Sequence, residues 1–154
     1  MSDWKRTTKE IPFESLPSEI RSAINLHVER YNLGPILSEP LMCVQTVSEK
    51  AKKGLFGRAE TVEVAAIVTP RWLILFTRGT NAPMSVRSAQ LRNIIVQDFA
   101  QTSLAKMIPD SGAEVTGLFT DASESVSAFV GLEENTPGNK FREILMKATQ
   151  DAKK

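Results

Sequence analysis

The sequence predicts a mainly β domain of the α+β class, an antiparallel barrel or sandwich of about seven strands with a helix at each end. From residue 41 to residue 130, several short runs alternate apolar and polar residues, the pattern of strands with one buried face. Turns rich in glycine, proline, asparagine and aspartate separate most of these runs. Such turns are too short for the crossovers that parallel strands need, so antiparallel pairing is expected.

The first predicted element is a helix over residues 15–33. Its apolar residues recur at helical spacing, at Ile20, Ala23, Ile24, Val28 and Tyr31. Gly34-Pro35 ends it. An isolated helix of this length is marginal in water, so tertiary packing must hold it. We expect the apolar stripe to dock on the sheet of this same chain, and docking on a partner is the alternative.

Seven strands are expected next, at residues 41–49, 61–68, 72–76, 84–91, 94–99, 113–120 and 126–130. A second helix is expected from about residue 137 to residue 151, with Thr136 as its cap and with Phe141, Ile144, Leu145 and Ala148 on one stripe. No linker or shift in composition divides the chain, which predicts a single domain over residues 1–154.

Composition excludes several classes of function. The net charge of +1 provides no overall attraction to nucleic acid. Cys43 is the only cysteine, which excludes a disulfide within the chain and a multi-cysteine zinc site, and its apolar neighbours predict a buried side chain. No secretory signal is apparent after Met1, and the apolar run at residues 72–76 is too short to cross a bilayer as a helix. We therefore expect a cytoplasmic protein.

No catalytic signature is present, and we expect neither enzyme activity nor a bound metal or cofactor. The only histidine, His27, lies on the first helix, where a surface or core-edge role is expected. The glycine-rich phosphate loop, the dinucleotide fingerprint and the zinc-protease motif are all missing. Asp98, Asp110 and Asp121 are spaced as separate turn carboxylates.

Three further side chains have predicted environments. Trp72 follows Pro70 at the start of a strand and is expected in the core rather than as a platform on which a ligand stacks. Arg87 and Arg92 are expected to face solvent.

The turn after the first strand combines charge with exposed apolar groups. The candidate ligand-binding residues are Lys50, Lys52, Lys53, Leu55, Phe56 and Arg58. Four cations fall within nine residues, and the two apolar residues lie between Gly54 and Gly57, where a turn directs side chains outward. A cationic loop with an apolar tip can approach an anionic bilayer. The alternative is that Leu55 and Phe56 fold back over the core and leave the lysines as a solvated rim.

From Leu41 onward the chain resembles the pleckstrin-homology-like superfamily, in particular its bacterial members. The resemblance rests on Gly54-Leu55-Phe56-Gly57, on residues 68–76, on Gly117-Leu118-Phe119-Thr120, and on residues 126–131 with the last helix. It implies a pleckstrin-homology-like domain over residues 41–152, with the first helix as an addition. Classical members bind phosphoinositide headgroups with basic residues of the first hairpin, where this chain has Lys50, Lys52, Lys53 and Arg58, and has Glu60 in place of a further basic residue.

A fold of this kind implies a non-enzymatic binding or scaffolding module. We expect interaction with another protein, through the amphipathic first helix or through a sheet edge that accepts a partner strand. Peripheral binding of anionic lipid headgroups through the 50–58 hairpin is the alternative function. Homo-oligomerisation stays open, and no nucleic-acid partner is expected.

Overall fold

The computed structural model describes residues 4–51, 54–55, 57–102, 105, 107 and 110–154. Eight strands and two α-helices lie within these residues. In chain order they are β1 (Trp4–Glu10), α1 (Ser18–Arg30), β2 (Met42–Lys50), β3 (Glu60–Val68), β4 (Trp72–Gly79), β5 (Ala82–Gln90), β6 (Ile94–Asp98), β7 (Gly112–Gly117), β8 (Val126–Gly131) and α2 (Thr136–Ala152). Single 3-10 turns precede α1 and flank β6.

The strands form two antiparallel sheets, which confirms the mainly β prediction. The first sheet has the order β1-β2-β3-β4-β5, and the second has the order β6-β7-β8. The two sheets pack face to face but do not close into a barrel over the described part of the chain. In this part of the chain, no helix is both long enough and apolar enough to cross a membrane.

The strand count differs from the prediction because β1 joins the first sheet. It pairs with β2 from Trp4 opposite Lys50 to Glu10 opposite Val44. The residues of β1 that face the second sheet include Arg6 and Thr8, and both make hydrogen bonds instead of apolar contacts. A strand with polar inward residues lacks the hydrophobic alternation by which strands are recognised in a sequence.

The main core lies between the two sheets and α2. Its fully buried residues include Val68 and Leu73 of the first sheet, Val115 of the second sheet, and Phe141 and Leu145 of α2. The stripe predicted for the last helix therefore covers this core. Cys43 lies on the opposite face of β2 and is 5% exposed, as expected for a small buried side chain, and burial raises the pKa of its thiol to about 12.

A second core lies on the other face of the first sheet, where α1 docks. Ile20 and Ile24 are fully buried against Ile67, Ile74 and Phe76. The prediction that the helix packs on the sheet of its own chain is confirmed. The helix begins at Ser18 instead of residue 15, since Phe13–Ser15 form a 3-10 turn, and it ends at Arg30.

The strand predicted over residues 113–120 is shorter in the structure, where it is β7, because the chain bends at Gly117. The φ angle of Gly117 is +157°, a conformation that favours glycine, and a Cβ there would lie 2.2 Å from the carbonyl oxygen of Asn93. The chain then leaves the sheet and buries Phe119 in the main core. Residues 118–120 are thus not part of the strand, although they alternate in the sequence.

The outer edge of β1 is joined to the segment that leads into α2. The backbone N–H of Thr8 donates to Glu133 Oε1 at 3.0 Å, and its carbonyl accepts from Asn135 Nδ2 at 3.0 Å. Arg6 donates to Ser48 Oγ and to the carbonyl oxygen of Ser111, each at 2.8 Å, and it pairs with Asp110. These bonds satisfy an edge that would otherwise be open to other strands.

Replacing Ile24 by alanine should lower the free energy of unfolding by about 2–5 kcal/mol, because it opens a cavity between α1 and the sheet. Leu26→Ala is the matched control, since Leu26 lies on the same helix but is 65% exposed, and its effect should stay within about 0.5 kcal/mol. Urea unfolding of the two variants measures both values. Equal effects of the two substitutions would mean that α1 does not depend on this contact.

Replacing Arg6 by alanine should lower the free energy of unfolding by about 1.5–3 kcal/mol, because buried hydrogen-bonding groups lose a charged partner. Lys5→Ala in the same strand is the control, since Lys5 is exposed. Thermal or urea unfolding compares the two. A change for Arg6→Ala no larger than the change for the control would show that the β1 edge is held by backbone pairing alone.

Candidate functional site

The predicted ligand-binding turn joins β2 to β3 at one end of the first sheet, here termed the hairpin end. Lys50, the last residue of β2, pairs across the ladder with Glu60, the first residue of β3. The β4–β5 turn lies at the same end, because Val62 of β3 pairs with Gly79. The start of α1 also reaches this end, since Glu19 pairs with Arg78 of β4.

The structure places three of the six predicted site residues, and the other three, Lys52, Lys53 and Phe56, lie outside the described residues. Leu55 is 90% exposed, and Arg58 is also exposed. Gly54 has a φ of +64° and has open space around it. Leu55 therefore points into solvent and does not fold back over the core.

Lys50 lies at the base of the hairpin, half-buried beside an aromatic ring. Its Nζ is 5.9 Å from the centroid of the Trp4 ring, within the range of a cation–π contact. Trp4 comes from β1, a strand that the sequence pattern does not predict, so local patterns do not connect Trp4 with the hairpin. The signal in the sequence that could have predicted β1 is the β propensity of the tryptophan and threonines near the N-terminus. Glu60, opposite Lys50, offsets one of the four cations.

Beside the hairpin base is a cleft of about 280 Å³, here termed the hairpin cleft. The described residues that line it are Trp4, Arg6, Ser48, Val62, Val64, Thr77, Asp110, Phe129 and Gly131. Val62 and Val64 give it an apolar floor. Its charged residues, Arg6 and Asp110, are already paired with each other. The Arg6 guanidinium also lies 5.6 Å from the centroid of the Phe129 ring.

The three aspartates singled out in the sequence are each held by a different partner. The Asp110 carboxylate is held by Arg6, and Asp121 lies 3.6 Å from Arg87. Asp98 accepts from the backbone of Ala100. These three aspartates occupy separate sites, as their spacing in the sequence predicted.

Two of the three side-chain environments predicted separately need correction. Arg87 is half-buried, and its guanidinium lies 4.7 Å from the centroid of the Phe119 ring, so the prediction that it faces solvent is wrong. Arg92 is exposed as predicted. Trp72 is half-buried: it packs against the second core, but it also borders two cavities.

His27 is buried in a hydrogen-bonded chain that connects α1 to β5 and to the loop between β7 and β8. Its Nε2 lies 2.8 Å from Ser88 Oγ, and Ser88 Oγ lies 2.7 Å from Thr120 Oγ1. Ser88 is fully buried in β5, so its hydroxyl has no access to a substrate. Burial lowers the pKa of His27; the negative charge of Asp121 opposes this shift, and the positive charge of Arg30 adds to it.

A scan of protein-family models, a search of curated proteins and a search of solved structures find no match to this chain.

The stability of the protein should fall on acidification because of His27. Its folded-state pKa lies below its ordinary value of 6.5, so the unfolded chain binds a proton more readily. The free energy of unfolding should therefore hold above about pH 7 and fall as the pH drops through about 6.5 towards the lower folded pKa. Urea unfolding at a series of pH values measures this dependence.

His27→Gln is the informative control, because His27 is the only histidine and glutamine can still bond to Ser88. The variant should lose the part of the slope near pH 6.5 and keep the acid unfolding caused by carboxylates at lower pH. An unchanged slope near pH 6.5 in the variant would contradict the assignment.

Proposed function

We propose that the protein is a non-enzymatic binding module that docks on anionic lipid surfaces through the β2–β3 hairpin. The observation that carries this proposal is the exposure of Leu55, which is 90% accessible on a cationic turn. An exposed leucine alone is common on protein surfaces. An exposed leucine in a turn whose sequence carries four cations has the chemistry of a membrane contact.

The expected energies are sufficient for reversible binding. Full burial of a leucine side chain contributes about 1.5–3 kcal/mol. Each lysine or arginine near an anionic membrane contributes about 1 kcal/mol, and Glu60 subtracts from the total. Neither contribution alone gives firm attachment, so binding should need both the apolar tip and the cations, and it should weaken with salt.

We also propose that residues 41–152 form a pleckstrin-homology-like domain of a cytoplasmic protein. Two packed antiparallel sheets, a C-terminal helix against the core and a basic first hairpin all support this assignment. In this arrangement β1 and α1 are additions: β1 extends the first sheet at its edge, and α1 covers the outer face of that sheet.

Interaction with another protein is a second candidate function, but α1 does not favour it, because Ile20 and Ile24 of its apolar stripe are buried on the sheet. The observation that favours it is the outer face of the second sheet. Ile95 is 66% exposed and Phe129 is 41% exposed on this face. A partner of this kind would bind without lipid and would not depend on Leu55.

Co-sedimentation with vesicles tests the lipid proposal. The protein should bind vesicles that contain phosphatidylserine and not bind vesicles of phosphatidylcholine alone, and binding should weaken when salt rises from about 0.05 M to about 0.5 M. Leu55→Ser should weaken binding by about 10- to 100-fold, from the loss of a buried leucine. Leu26→Ser is the matched control, because Leu26 is an exposed leucine on α1.

The charge contribution is tested by Lys52→Glu combined with Lys53→Glu, which should abolish binding. Lys9→Glu combined with Lys147→Glu makes the same change in net charge at exposed positions away from the hairpin. Equal losses in the two double variants would show that only net charge matters. No binding at low salt, or full binding by Leu55→Ser, would refute the proposal.

A further inference from the structure

A cavity of about 720 Å³ lies at the end of the first sheet opposite the hairpin. The described residues that line it are Pro70, Arg71, Trp72, Gln90, Arg92, Asp151 and Ala152. They come from the β3–β4 turn, from the corner between β5 and β6, and from the last turn of α2. Its volume falls within the range of about 300–1,000 Å³ that is usual for small-molecule sites.

The two arginines of this cavity are held close together by the backbone. The N–H of Leu91 donates to the carbonyl oxygen of Arg71 at 2.8 Å, which places Arg71 next to Arg92. Trp72 pairs with Gln90 in the β4–β5 ladder. The residues that carry the two guanidinium groups and the indole ring are therefore neighbours in the structure.

The turn that carries Arg71 and Trp72 is rigid. The N–H of Thr69 donates to the carbonyl oxygen of Trp72 at 2.9 Å, and the Thr69 hydroxyl accepts from the N–H of Trp72 at 2.9 Å. Pro70 fixes one further backbone angle. Binding of a ligand here would cost little backbone conformational entropy, which favours affinity.

Arg71 and Arg92 differ from the arginines that form ion pairs within the fold. Arg6, Arg78 and Arg87 are each paired with a carboxylate. Arg71 and Arg92 are exposed, and neither forms an ion pair or a side-chain hydrogen bond with any residue that the structure describes.

Among the described residues that line the cavity there is one carboxylate, that of Asp151, and it lies 3.3 Å from Lys154 Nζ. Its negative charge is thereby offset. The cavity therefore has two guanidinium groups that no described residue pairs with, beside the half-buried indole ring of Trp72.

We propose that this cavity binds a small anion that carries a planar ring, of the aryl phosphate or nucleotide class. The guanidinium groups of Arg71 and Arg92 bind the phosphate oxygens, for which their planar donor geometry is suited. The ring stacks on Trp72. A second cavity of about 380 Å³ shares Pro70, Arg71 and Trp72 with the first and gives room for a substituent on the ring. This site is independent of the hairpin and of lipid binding.

Titration with phenyl phosphate, followed by two-dimensional NMR of the ¹⁵N-labelled full chain, tests the proposal. The chain has two tryptophans, so Trp4→Phe identifies the indole resonance of Trp72. Phenyl phosphate should shift that resonance with saturation. Inorganic phosphate should bind at least about 10-fold more weakly, and neutral benzyl alcohol should bind more weakly still.

Arg71→Gln and Arg92→Gln should each weaken phenyl phosphate binding by about 10-fold, whereas Arg58→Gln, an exposed arginine at the other end, should leave it unchanged. Trp72→Leu should abolish the preference for phenyl phosphate over inorganic phosphate. The two exposed arginines do not contribute to a core, so their variants should keep the wild-type spectrum.

The absence of a saturable shift, or equal binding by the two arginine variants and the wild type, would overturn the proposal. Equal affinities for phenyl phosphate and inorganic phosphate would overturn the stacking role of Trp72. The vesicle experiment stays separate, because Arg71→Gln and Arg92→Gln should leave co-sedimentation unchanged.

Discussion

The central strands of the first sheet, β2, β3 and β4, are buried on both faces, and the rest of the structure depends on this double burial. In β4 the four consecutive residues Leu73–Phe76 are all buried, with side chains alternately in the core shared with the second sheet and in the core under α1. Each buried aliphatic or aromatic side chain contributes about 1.5–3 kcal/mol, so neither covering layer can be removed without a large loss of stability. Both candidate sites lie at the loops that join the ends of these strands, outside the two cores.

The edges of the sandwich are closed by polar contacts, in contrast to its two apolar cores. On one side Thr8 joins β1 to the segment that leads into α2, and Arg6 joins β1 to Ser111, just before β7. On the other side the chain His27–Ser88–Thr120 joins α1 and β5 to the loop between β7 and β8. An edge strand exposes backbone donors and acceptors, so hydrogen-bonding side chains satisfy it better than apolar ones. Close packing is part of this closure, because a Cβ at Gly131 would lie 2.9 Å from the Arg6 guanidinium carbon.

The sequence predicts the elements whose apolar residues recur with a regular period. It does not predict the elements that lack such a period. The stripe of α1, the strands from residue 41 onward, α2 and the burial of Cys43 all follow from local patterns. The strand β1 does not, because Arg6 and Thr8 occupy its inward positions. The neighbours of the candidate sites also escape prediction: Trp4 reaches Lys50, and Arg71 reaches Arg92, only through strand register. Register depends on contacts between distant residues, which a single sequence does not display.

The ion pairs of the fold also determine where positively charged side chains remain exposed for binding a ligand. The chain has 19 basic and 18 acidic residues, so its net charge predicts no attraction to any polyanion. The pairing is uneven, however: Arg6, Arg78 and Arg87 are neutralised by carboxylates within the body of the protein. Arg58 at the hairpin end, and Arg71 and Arg92 at the opposite end, are left exposed. Since interactions between exposed charges are screened beyond about 8–10 Å, the two ends act as separate local fields. A protein of nearly zero net charge can in this way present two cationic surfaces, one beside an exposed leucine and one beside a tryptophan.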